Sequence, residues 1–131
     1  MRWTFTAEAP APGKARAAAR AFAAEEGADA DTIAAIALCV SEAVSNAVVH
    51  AYRGRRPGAI EVEVRRPNGY LCLRVRDHGC GLVPRVDSPG LGLGLPLIAE
   101  SAASMEVLTP DNGGTELRMR FDLRSPAHLT G

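Results

Sequence analysis

The stretch Ser41-Glu42-Ala43-Val44-Ser45-Asn46-Ala47-Val48-Val49-His50 lies inside a segment, Asp31 to Tyr52, whose composition specifies one long helix. Asp29 or Asp31 can cap its start, Ala, Leu and Ile fill its middle, and Gly54 and Pro57 follow its end. Ile33, Ile36, Ala37, Val40, Val44, Ala47 and Val48 recur at helical spacing and define a broad face to be buried. Glu42, Asn46 and His50 step by four along a different, slowly drifting stripe. A carboxylate and an amide one turn apart can divide a reaction between them. The first takes a proton from an attacking hydroxyl, and the second holds a hard cation such as Mg²⁺. The same spacing also describes an ordinary solvated face, so the helix alone does not decide.

Outward from the helix, the segments read as strands and one further helix. Trp3 to Ala7 alternates as a short edge strand, and Pro10 and Pro12 open an Ala- and Arg-rich helix. Ala17, Ala18, Phe22 and Ala23 form the apolar stripe expected for that helix, and Gly27 ends it. Downstream, Ile60, Val62 and Val64 alternate with Glu61, Glu63 and Arg65. After the Pro67-Asn68-Gly69 turn, Leu71, Leu73 and Val75 alternate with Cys72, Arg74 and Arg76, which makes an antiparallel hairpin with one face on the core. Ser104 to Thr109 and Thr115 to Leu123 form two more strands about Asp111-Asn112-Gly113-Gly114, and the tail from Arg124 is expected to fray.

Two glycine blocks follow the hairpin. Asp77-His78-Gly79-Cys80-Gly81 lets the backbone turn sharply at a strand end, where an aspartate can accept from the amino group of a base. Leu82 to Pro89 is a short connecting loop. Gly90-Leu91-Gly92-Leu93-Gly94 then opens a helix running to about Ala103, and amides exposed at such a helix start can cradle phosphates. The spacing does not fit a dinucleotide-binding crossover, and no Gly-Lys-Ser/Thr is present for a Walker loop.

Composition limits the remaining classes. At 131 residues and 47% hydrophobic content the chain suits a single domain, 1–131, with a core over about 2–123. Its 15 basic and 15 acidic residues cancel and the arginines are scattered, so neither direct nucleic-acid binding nor a membrane surface is expected. Cys39, Cys72 and Cys80 lack metal-ligand spacing and point to reduced thiols in a cytoplasmic protein.

In order, Glu42-x-x-x-Asn46, Asp77-x-Gly79-x-Gly81, Gly90-x-Gly92-x-Gly94 and Gly113-Gly114-Thr115 resemble the asparagine box and three glycine boxes of the GHKL superfamily. These Bergerat-fold ATPases include gyrase, histidine kinases and MutL. Within the superfamily the chain is most similar to the anti-sigma regulatory factors that are also serine/threonine protein kinases. The resemblance runs from about Arg2 to Leu123. It implies an α/β (α+β) two-layer sandwich, a mixed and mostly antiparallel sheet with helices on one face.

By the same resemblance the cofactors are ATP and Mg²⁺. Asn46 is the implied Mg²⁺ ligand, Glu42 the general base, and Asp77 the acceptor for the adenine amino group. Gly79 and Gly81 belong to the nucleotide-binding residues, with Gly81 lining the base pocket. Gly92 and Gly94 contact phosphates, Gly90 lets the lid bend, and Thr115 supports the Asp77 network. The role of His50 is left between family function and a satisfied helix-end histidine, and Arg85 is a candidate γ-phosphate ligand. The implied partners are a sigma factor and an anti-sigma-factor antagonist with a STAS-type domain, and a homodimer stays open. Two alternatives are a non-catalytic, nucleotide-gated protein-binding module and the ATP-binding domain of a histidine kinase system.

Overall fold

The computed structural model describes residues 1–52, 54, 56–79 and 103–123. Five strands and two helices are described: β1 (Arg2–Thr6), α1 (Ala11–Glu25), α2 (Ala30–Asn46), β2 (Ala59–Arg65), β3 (Tyr70–Asp77), β4 (Ser104–Leu108) and β5 (Thr115–Asp122). A π-helical segment, Ala47–Ala51, continues directly from α2. The strands form one sheet in the order β1-β2-β3-β5-β4, and all four pairings are antiparallel. This is the α+β sandwich expected.

Strand alternation sorts residues between the two faces of the sheet. Ile60, Val62, Val64, Leu71, Leu73, Val75, Leu117, Met119 and Phe121 are buried with Ile36, Cys39, Val40 and Val44 of α2 in one core. The helices therefore cover one face. Charged residues occupy the other, with Glu61 and Glu63 on β2, Arg74 and Arg76 on β3, and Glu116, Arg118 and Arg120 on β5.

Asp29 is the N-cap of α2, its carboxylate accepting from the Thr32 amide at 2.8 Å. Ala30–Ala51 is long and apolar enough to span a bilayer by length and composition. Its apolar stripe instead packs in the core, with Ile36, Cys39, Val40 and Val44 fully buried.

Two local expectations need correction. The buried stripe of α1 is Ala11, Ala15, Ala19 and Ala23, while Ala17 is exposed and Ala18 and Phe22 are half-buried. With alanine at so many positions the phase of the stripe is underdetermined, and packing against α2 chooses it. The helix over Asp31 to Tyr52 is also not uniform, because its last turn widens into π winding just after Asn46.

Candidate functional site

Glu42 and Asn46 both lie on α2, half-buried and one turn apart, an axial rise of about 6 Å. Their neighbours Ala43, Val44 and Ala47 are buried, which anchors the helix while leaving these two polar side chains at its margin. The π segment begins at the next residue. Such segments insert one extra residue into a helix and recur at functional sites. Here the change of winding accompanies burial of His50, at 8% exposure and engaged with a neighbour, whereas Val49 is 54% exposed. His50 is thus buried where Glu42 and Asn46 are half-buried.

Asp77 ends β3 on the helix side of the sheet and is 7% exposed. Its Oδ1 accepts from the Gly79 amide at 3.0 Å, and the Thr115 amide also donates to the carboxylate. Desolvation by burial outweighs these two donors and raises the Asp77 pKa above the ordinary value of 3.8. A buried carboxylate in this state is served by another hydrogen-bond donor, such as the amino group of a base.

Two glycines allow the close approaches that build this corner. A Cβ on Gly79 would collide with the Ala51 carbonyl, and one on Gly114 with the Asp77 carbonyl; Gly114 also has a φ of +84°. The first approach seats the Asp77 turn on the end of the π segment, and the second seats the β4–β5 turn on the end of β3. Thr115, paired with Asp77 in the register, acts on it through its backbone amide. That explains Gly113-Gly114-Thr115 in plain steric terms.

Sequence reasoning missed two contributors at this corner. Tyr52, 9% exposed, donates its hydroxyl to the Ala59 carbonyl at 2.7 Å and accepts from the His78 amide at 2.9 Å. His78 meets Glu61 at 2.9 Å, and this hydrogen bond is the chief cause of a lowered Glu61 pKa. An aromatic residue that closes a helix and is followed by glycines was the available signal for Tyr52. Nothing in the sequence marked the His78–Glu61 pair except strand register.

Gly81, Gly90, Gly92, Gly94 and Arg85, the Leu82 to Pro89 loop, the helix expected up to Ala103 and the tail from Arg124 lie outside the described residues. An open depression of about 450 Å³ on the outer sheet face is lined by residues including Glu63, Arg65, Arg74, Arg118 and Arg120. It lies on the far side of the sheet from Asp77, and Glu63, Arg65, Arg74, Arg118 and Arg120 in its lining are each engaged in ion pairs.

No group of three or more His, Cys, Asp or Glu side chains able to hold a metal occurs among the described residues.

The family model described as "Histidine kinase-like ATPase domain" matches residues 5–121. An anti-sigma F factor of Clostridium botulinum is 28% identical over 131 residues, covering 92% of each chain. One from Halalkalibacterium halodurans is 33% identical over 82 residues, covering 63% of this chain and 56% of the relative. The crystal structure of the RsbU and RsbW domains of Rv1364c from Mycobacterium tuberculosis superimposes with a TM-score of 0.74 at 26% identity. It covers 96% of this chain, which spans 33% of that longer one. The SiaB-SiaC complex from Pseudomonas aeruginosa matches in fold, with a TM-score of 0.55 at 16% identity over 91% of this chain and 88% of that one. Since the family match spans α2, the Asp77 turn and the β4–β5 glycines together, the chain belongs to the histidine kinase-like ATPase domain family.

Proposed function

We infer that this chain is an ATP-dependent serine/threonine protein kinase that phosphorylates an anti-sigma-factor antagonist and also binds a sigma factor, as part of a cytoplasmic partner-switching circuit. The observation that carries the reading is the junction of α2, bearing Glu42 and Asn46, with the turn bearing Asp77, through Gly79 against Ala51. The relatives named anti-sigma F factor supply the partner class.

When bound, ATP with Mg²⁺ supplies the phosphoryl group and offsets its charge. Asp77 receives the adenine amino group. Asn46 would hold the metal through its side-chain oxygen. Glu42 takes the proton from the seryl or threonyl hydroxyl of the antagonist as that oxygen bonds to the γ-phosphorus of ATP and the bond to the departing ADP breaks, which is why a carboxylate one turn before the amide matters. Gly92 and Gly94 contact the phosphates, Gly90 lets the lid bend, and Arg85 is a candidate γ-phosphate ligand. A second reading, a nucleotide-gated module that captures a partner without phosphorylating it, is favoured by the shortness of Leu82 to Pro89 between two glycine blocks.

The test is calorimetric titration with ATP, with and without Mg²⁺, on the intact protein and Asn46→Ala, followed by a transfer assay with an antagonist and Glu42→Gln. Mg²⁺-dependent binding weakened about tenfold or more by Asn46→Ala, and transfer slowed about a hundredfold or more by Glu42→Gln, are expected. Transfer at the wild-type rate by Glu42→Gln would remove its role as base. Tight binding and partner capture without transfer would leave the gated module.

A further inference from the structure

Tyr52 sits where the two halves of the candidate site meet, and nothing in the proposed chemistry uses it. Its hydroxyl donates to the Ala59 carbonyl at the start of β2 and accepts from the amide of His78, the residue after Asp77. Its ring lies over Gly58, where an added Cβ would come within 2.5 to 2.9 Å of ring atoms and the hydroxyl. One residue earlier, the Ala51 carbonyl faces Gly79. The two residues that follow Asp77 are therefore held by the end of the π segment and its C-cap, His78 through its amide to Tyr52 and Gly79 through close packing on Ala51.

We propose that Tyr52 is a positioning residue for base recognition, its hydroxyl fixing the His78 amide so that the Asp77 carboxylate is held ready for an adenine amino group. This rests on the base-accepting role given to Asp77 above. The physical argument concerns geometry. Asp77 is a short side chain on the last residue of a strand, so its aim is set by the turn that follows. That turn is tied within itself by the Gly79 amide bonding back to Asp77, and Tyr52 ties it to the rest of the fold. The hydroxyl is also spent in both directions, one bond donated and one accepted, so it is oriented rather than free to rotate. Because Tyr52 follows directly from the π segment that starts after Asn46, the arrangement also links the aim of Asp77 to the position of Asn46.

The experiment compares wild type, Tyr52→Phe and Asp77→Asn by hydrogen–deuterium exchange of the nucleotide-free proteins and by calorimetric titration with ATP and with GTP. Tyr52→Phe keeps the ring over Gly58 and removes only the hydroxyl. It should speed exchange at the His78 amide and lower ATP affinity about tenfold while leaving the weaker GTP affinity unchanged, so that base discrimination falls. A purely structural role would move both nucleotides together or neither. Unchanged exchange at His78, or an unchanged ATP-to-GTP ratio, overturns the proposal. If Asp77→Asn abolishes ATP binding while Tyr52→Phe binds like wild type, the positioning role alone fails. If Asp77→Asn itself binds like wild type, the base-recognition reading falls and takes the proposal with it. Should Tyr52→Phe not fold, a fluorinated tyrosine at position 52 keeps the shape but makes the hydroxyl a weaker acceptor. Faster exchange at His78 and reduced discrimination are then expected, and wild-type behaviour overturns the assignment.

Discussion

At the scale of single residues, Asp77 shows a side chain kept at the expense of stability. Its raised pKa means that the folded chain binds a proton more tightly than the unfolded chain does. Its contribution is therefore most favourable below the ordinary value of 3.8 and is lost as pH rises through the raised folded value. Asp77→Asn removes that slope while its amide oxygen can still accept from Gly79. Thermal unfolding of the two proteins across this acid-to-neutral range should show Asp77→Asn gaining on wild type as pH rises and equalling or exceeding it at neutrality. A loss of several degrees at neutral pH would mean that the carboxylate is structurally required. Cys39 is also buried in a way that raises its pKa, here to about 12, which keeps it a neutral thiol packed among the core side chains.

At the scale of elements, the difference between α2 and its π-helical continuation decides where the site's parts meet. Deleting Val49, exposed on that segment, should let the helix close to regular α winding while withdrawing Tyr52 from His78. Far-UV circular dichroism should keep its helical content, and ATP titration should show a loss of about tenfold or more. Retained affinity would mean that the π winding has no part in the site. This element also marks what was legible in the sequence. The hairpin over Ile60 to Val75 could be read because strict alternation has one phase, and the polar pair Glu42 and Asn46 because both lie before the winding changes. The π turn was not legible, since Ala47 to Ala51 carries ordinary helical residues and its close packing against Gly79 is visible only in the fold. The stripe of α1 was misplaced for the related reason that alanines do not set a phase. Thr115 was found through a motif, but its action through the backbone, with Gly114 admitting the Asp77 carbonyl, became visible only when β3 and β5 were in register.

At the scale of the molecule, the two faces of the sheet are stabilised by different physics, and the outer face can be tested separately from the site. Glu116, with its side chain 3% exposed, accepts from Arg118 Nε at 2.6 Å and lies 3.5 and 3.7 Å from Arg76 and Arg74. Arg74 also reaches Glu63 on β2, so the charges bridge β2, β3 and β5 across the face that no described helix covers. Removing this buried carboxylate leaves three guanidinium groups crowded without their common partner. A fully buried pair broken this way costs about 3–5 kcal/mol, but these arginines are partly solvated, so about 2 kcal/mol is the expected loss. Glu116→Gln, which keeps the shape, should therefore lower Tm by roughly 8 °C for a domain of this size. The exposed Arg2–Glu63 pair at 3.2 Å should contribute under about 1 kcal/mol, so Arg2→Ala should barely shift Tm. Salt separates the two cases further, because the Debye length of about 3 Å at 1 M screens the exposed pair and leaves most of the Glu116 deficit. Differential scanning calorimetry of both variants at low and high salt measures this directly. If Glu116→Gln melts within a degree of wild type, the outer charge network is solvated decoration, and the sheet is held by its helix-covered face alone.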